Sequence, residues 1–178
     1  MIETLISSKT RIKLLLKFFL NSKTTAYLRN LESEFGESTN SIRVELNRLS
    51  DAGMLTSEQS GNKKLFRVNT NHPLYKELHS IVLKYVGLDQ IIENVIKRLG
   101  KVERVFLSGS FARGLDSSIV DLLIIGEVDK VFLVELVEKA EAVIQRKIRY
   151  LIYSAEEFEK LDFGVFDTDP LLLWTHTN

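Results

Sequence analysis

The sequence predicts two units of different class, an α+β unit of three helices and a β-hairpin followed by a small mixed-sheet α/β layer. Three observations carry that reading. The stretch up to Ala52 holds three segments whose apolar residues recur three and four positions apart, the helical period. The run MLTSEQSGNKKLFRV then sets two strand-like segments around Ser60-Gly61-Asn62, and Gly-Asn is a hairpin signal. From Val102 onward, short β-rich runs alternate with helical ones. With 178 residues there is chain enough for two modest cores, since compact units commonly run to about 100–150 residues and can be smaller.

Element by element, Lys9 to Leu20 and Ala26 to Phe35 read as the first two helices. Gly36 breaks the pattern, Ser38 or Thr39 offers an N-cap, and a third helix is predicted to about Ala52, where Gly53 stops it. Helix, short turn with glycine, helix is the helix-turn-helix outline. Asn71-His72-Pro73 closes the unit, with Pro73 suited to the first turn of a helix from about Leu74 to Tyr85. Asp89 to Leu99 extends the helical region toward Gly100. Strands follow at Val102 to Leu107, Val120 to Ile125 and Ile148 to Tyr153, with a long helix from about Lys130 to Arg146. Ser154 and Glu157 form a capping box for a short helix, and Asp169-Pro170 opens the terminal LLLW segment. The predicted units are residues 1–85 and 86–178, joined within helices between about 74 and 100.

The hydrophobic share of 44% and charged share of 27% are those of globular chains. The absence of cysteine excludes a disulfide framework or thiolate metal site, and the three histidines share no spacing. Acid and base both interrupt the apolar N-terminal stretch, which suits an amphipathic helix better than a signal peptide or membrane span. A soluble cytoplasmic protein with no membrane partner is the expectation. Net charge is zero overall, yet the two halves differ. Positions 1–75 carry eleven Lys and Arg against seven Asp and Glu, while the remainder carries thirteen against seventeen. The first half is therefore the one suited to a polyanion.

On the third helix Ile42, Leu46 and Leu49 share one face and form the expected core stripe. The opposite face presents Asn40, Val44, Asn47 and Arg48, edged by Ser41 and Arg43. Asparagine can bond an adenine edge, arginine a guanine edge or a phosphate, and an exposed valine can meet a thymine methyl. Lys63, Lys64 and Arg67 follow the hairpin turn, where phosphates would be met. This order of helices, hairpin and helix resembles winged helix-turn-helix transcription regulators over about residues 8–85. The resemblance implies double-stranded DNA as partner, and half-site symmetry implies a homodimer.

The sharpest local signal is VERVFLSGSFARGLDSSIVDLLIIG, in which a strand ends at Ser108, a turn opens at Gly109-Ser110, and a helix is expected near Phe111. Gly109-Ser110-Phe111-Ala112-Arg113-Gly114 resembles the first part of the minimal nucleotidyltransferase motif of the DNA polymerase β superfamily, over about residues 100–160. The resemblance implies Gly109, Ser110, Arg113 and Gly114 as nucleotide-binding positions. It also implies two carboxylates two apart on the next strand, which share a face there and chelate magnesium. Here Ser118-Ile119-Val120-Asp121 stands in that place, so Asp121 is the residual carboxylate and Ile119 replaces the first. The strand from Lys147 to Tyr153 contains no acid to supply a third.

The expectation is a DNA-binding regulator with a catalytically degenerate nucleotidyltransferase-like domain for dimerisation, ligand sensing or partner binding. No catalytic residue, metal or resident cofactor is assigned, a nucleotide being an effector at most, with Asp121 expected to pair with Arg149 or Arg113. Asp116 is the one acid nearby that could substitute. Alternatives are an active transferase moving NMP from NTP to a nucleic-acid, protein or small-molecule acceptor, with magnesium, and an antitoxin-like interaction module.

Overall fold

Helix α1 (Lys9–Leu15) begins where the Ser8 hydroxyl accepts a hydrogen bond from the Arg11 amide at 3.2 Å, the N-cap arrangement that satisfies an otherwise orphaned donor. The computed structural model describes residue 4 and residues 6–176. Met1–Glu3 and Leu5, the start of the predicted amphipathic stretch, lie outside the described residues, as do Thr177 and Asn178. Contacts group the chain into two units, Met1–Val82 and Leu83–Asn178.

In the first unit the predicted helix to Leu20 changes character after Leu15. Leu16–Leu20 forms a wider π-type turn, and all five of its side chains are buried, among them Phe18 and Phe19. Lys17 shares this environment by pairing with Glu34 at 2.6 Å. The second predicted helix starts two residues late. Thr25–Tyr27 is a strand, β1, and helix α2 is Leu28–Phe35. Thr and Tyr suit extended backbone, and antiparallel pairing of β1 with the hairpin supplies hydrogen bonds that a further helical half-turn would not. Helix α3 (Thr39–Asp51) is capped by Ser38, and Ile42, Leu46 and Leu49 are buried. Strands β2 (Leu55–Ser60) and β3 (Lys63–Val68) form the hairpin around Gly61-Asn62, with Gly61 at φ +59°. The sheet order is β1-β3-β2. Helix α4 (Tyr75–Val86) follows.

The second unit contains helix α5 (Leu88–Asn94), a single turn over Ile96–Arg98, and a four-stranded sheet. The predicted continuous helix to Leu99 is thus broken after Asn94. Strand β4 (Lys101–Ser108) runs antiparallel to β5 (Ile119–Glu127), which is parallel to β6 (Lys147–Tyr153), while β7 (Leu171–Thr175) closes the other edge against β4. Pro170 sits just before this edge strand, where its missing N–H removes no ladder bond. Gly126 faces the bulge between Val102 and Arg104, where a Cβ would stand 2.3 Å from the Lys101 carbonyl oxygen. Between β5 and β6 lies α7 (Lys130–Ile144), burying Leu133, Leu136, Val137 and Ala140. Helix α8 (Ala155–Glu159) carries the Ser154/Glu157 capping box and stacks Phe158 on Phe106 at 5.1 Å.

Candidate nucleic-acid interface and strand-end cleft

Strand β1 brings a third element to the α3 face that the sequence singled out. Its register against β3, with Tyr27 opposite Leu65, sets the start of α2 beside the hairpin. The result is a concave surface of about 550 Å³ lined by Arg29, Asn30, Arg43, Asn47, Lys63 and Lys64, with Tyr27, Leu28, Asn62 and Phe66 completing it. No carboxylate stands in that lining. Lys63 Nζ lies 5.8 Å from the centre of the Tyr27 ring, within cation–π reach of another residue of the same lining. Arg29 and Asn30 escaped the sequence reading because they were assigned to the interior of a helix. The signal that could have found them is the β-favouring Thr25-Ala26-Tyr27 triplet before them.

The other predicted residues divide. Val44 is 40% exposed, and Asn40 and Ser41 are exposed at the start of α3, with the Ser41 and Ser38 hydroxyls 2.8 Å apart. None of the three lines the groove. Arg67 is engaged by Glu58 on the neighbouring strand. Arg48 donates to Glu45 at 3.0 Å, and Glu45 is a residue that periodicity alone concealed. It occupies a buried position of α3, accepting from Arg11 Nε at 2.7 Å and Nη2 at 3.3 Å as well. Burial works to raise its pKa, but the Arg11 hydrogen bond, with Ser8 and the charges of Arg11 and Arg48, carries it below the usual 4.5.

In the second unit the turn after β4 forms a four-residue helix, α6 (Gly109–Ala112), starting two residues before the expected Phe111. Gly109 has φ +62°, and a Cβ there would stand 2.5 Å from Asp121 Oδ2, so the carboxylate lies against bare backbone. Asp121 and Arg149 are register partners on parallel β5 and β6. Of the two cations considered for Asp121, Arg149 is the one it meets, Nε donating to Oδ1 at 2.6 Å. That hydrogen bond and charge raise the arginine pKa further. A cleft of about 250 Å³ is lined by Ser108, Gly109, Arg113, Asp121 and Arg149, together with Phe166, Asp167 and Thr168. Ser110 and Gly114 are outside that lining. The Ser110 carbonyl instead accepts from the Arg113 and Leu115 amides at 3.1 and 2.9 Å, closing the turn. Asp167 was not legible, since it reaches the cleft from the loop before β7.

Asp116, the acid that could have replaced the missing one, is tied elsewhere. Its Oδ1 lies 2.9 Å from Arg146 Nη1, and Arg146 also donates to the Ser117 carbonyl and covers the Phe111 ring at 5.3 Å. Among the described residues no three of His, Asp and Glu come together as a metal-holding group. A pair of divalent cations needs several carboxylate oxygens, and this donor set does not fit one.

No protein-family model matches the sequence, and no curated protein matches it significantly. Three solved structures are similar to part of the chain. They are AF1382 from Archaeoglobus fulgidus (16% identity, 53% of this chain and 99% of that one, TM-score 0.38); tri-AMPylated Shewanella oneidensis HEPN toxin in complex with MNT antitoxin (16%, 51% and 71%, TM-score 0.36); and a candidate nucleotidyltransferase from Sulfolobus solfataricus (26%, 52% and 79%, TM-score 0.33). At these TM-scores none of them assigns an activity here. Among the described residues no helix is long and apolar enough to cross a membrane.

Proposed function

We propose that the chain is a sequence-specific DNA-binding regulator, with residues 1–85 a winged helix-turn-helix and 86–178 a nucleotidyltransferase-like domain that has lost its catalytic metals. The observation that carries this reading is the groove between α2, α3 and the hairpin. Arg29, Arg43, Lys63 and Lys64 line it together with Asn30, Asn47 and Asn62, and no acid offsets them. Lysines on the hairpin suit backbone phosphates, while asparagine and arginine on one helix face suit base edges. The partner is double-stranded DNA, read by a homodimer, in the cytoplasm. In the second domain the Arg149 guanidinium holds Asp121 where a cation would otherwise be chelated, leaving a cleft for dimer contacts, partner binding or a nucleotide effector.

The test is selection of bound fragments from a random duplex library, then anisotropy titrations at fixed salt. Arg43→Ala with Asn47→Ala is expected to weaken the selected site by about 1–3 kcal/mol per lost base contact. Unchanged affinity would remove α3 as the reader.

A second reading, nucleotidyl transfer in the cleft, draws on Asp167, which lines the cleft with Asp121 as another acid. It requires the Asp121–Arg149 pair to open, and incubation with labelled NTPs separates it from the first. Under the antitoxin-like alternative, a small protein of the HEPN kind would be bound in place of DNA.

A further inference from the structure

Helix α4 carries a stripe that its own chain leaves partly bare. Leu74 and Ile81 are 49% and 46% exposed. The Leu78 amide donates to the Leu74 carbonyl at 3.0 Å, so Leu74 belongs to the first turn. Leu74, Leu78, Ile81 and Tyr85 are then spaced by four, three and four, the a/d seam of a two-helix coiled coil. On one flank of the seam stand Tyr75 and buried Val82, and on the other exposed Glu77 and Lys84. Neither Glu77 nor Lys84 forms an ion pair among the described residues.

We propose that this face is where two copies of the chain associate, their α4 helices antiparallel across a twofold axis. Charge decides both the occupant and the direction. In an antiparallel pair the outer flanks face each other, so Glu77 meets Lys84 of the partner subunit, and the symmetry repeats the pair. A parallel pair would set Glu77 against the Val82 flank and leave both charges unanswered. The same face is thus complementary to itself in one orientation, as an isologous interface requires. Leu78 packs on Ile81 of the partner subunit at the centre, and Leu74 on Tyr85 of the partner subunit at either end. The seam spans about 18 Å at 1.5 Å per residue, so the dimer it makes is reversible and concentration-dependent.

Sedimentation equilibrium of the full chain, without DNA, tests this independently of the DNA-binding reading. Wild type should populate a reversible dimer, and Ile81→Lys should remain monomeric at concentrations where wild type pairs. Glu77→Lys places like charges opposite each other twice and should raise the dimer dissociation constant about tenfold. Glu77→Lys combined with Lys84→Glu should return it toward wild type, a rescue that a merely structural role for either residue would not produce. All three substituted positions lie at the surface, and circular dichroism verifies folding; should Ile81→Lys unfold, the charge swap carries the test. A monomeric wild type, an Ile81→Lys dimer of unchanged strength, or a double swap without recovery would each overturn the proposal.

Discussion

Replacing Glu45 with glutamine probes how α3 is held. The carboxylate is 7% exposed and accepts three charged hydrogen bonds, two from Arg11 at 2.7 and 3.3 Å and one from Arg48 at 3.0 Å. Breaking a fully buried pair costs about 3–5 kcal/mol, and an exposed one less than about 1. Glu45 is enclosed, but its partners are 36% and 61% exposed and can rehydrate, which places the loss near 2 kcal/mol. For a unit of this size that is a fall in Tm of about 8–16 °C. Because the folded carboxyl titrates below 4.5, the fold favours its ionised form. Its stabilisation is therefore complete above pH 4.5 and lost as pH falls through the lower, folded value. Urea titrations of wild type and Glu45→Gln between pH 3 and 7 read both effects. A difference below about 0.5 kcal/mol at pH 7, or one that grows on acidification, would refute the reasoning.

Two further outcomes follow from the sites. Lys63→Ala with Lys64→Ala should weaken DNA binding nearly equally across sequences and lower the slope of log affinity against log salt by about 2; a loss confined to one sequence would make these residues base readers. Ile119→Asp with Arg149→Asp rebuilds acids around Asp121 and removes the guanidinium, and calorimetry should then detect manganese binding that wild type lacks. Equal binding by both proteins would show that the arginine does not hold the cation seat.

Local signals written into contiguous residues were legible. Ser38 capping α3, Gly61-Asn62 turning the hairpin and Ser154/Glu157 boxing α8 all act within a few residues of themselves. What was hidden depends on partners distant in sequence. Thr25–Tyr27 is a strand only because β3 stands beside it, and Arg29 enters the groove only through that pairing. Glu45 carries no local sign of burial, and its enclosure rests on Arg11, 34 positions earlier. Asp167 reached its cleft by the same kind of long-range closure, through β7 joining the β4 edge.

The cleft illustrates how a lost ligand differs from a merely rearranged one. Had Asp116 been free, loop motion could have added its carboxylate to those of Asp121 and Asp167. Instead Asp116 and Asp121 each have their own guanidinium, Arg146 for Asp116 and Arg149 for Asp121. The two sites are unequal. Arg149 is 68% exposed, whereas Arg146 is only 16% exposed, stacked on Phe111 and bonded to the Ser117 carbonyl. An exposed pair contributes little and opens readily in water, whereas a packed arginine also loses its stacking and its carbonyl contact on leaving. A cation competing for this cleft could displace Arg149 at modest cost but would not recover Asp116. Single replacement of Arg149 should therefore leave only Asp121 and Asp167 as acids in the cleft lining, and a chelating set of three requires the change at Ile119 as well.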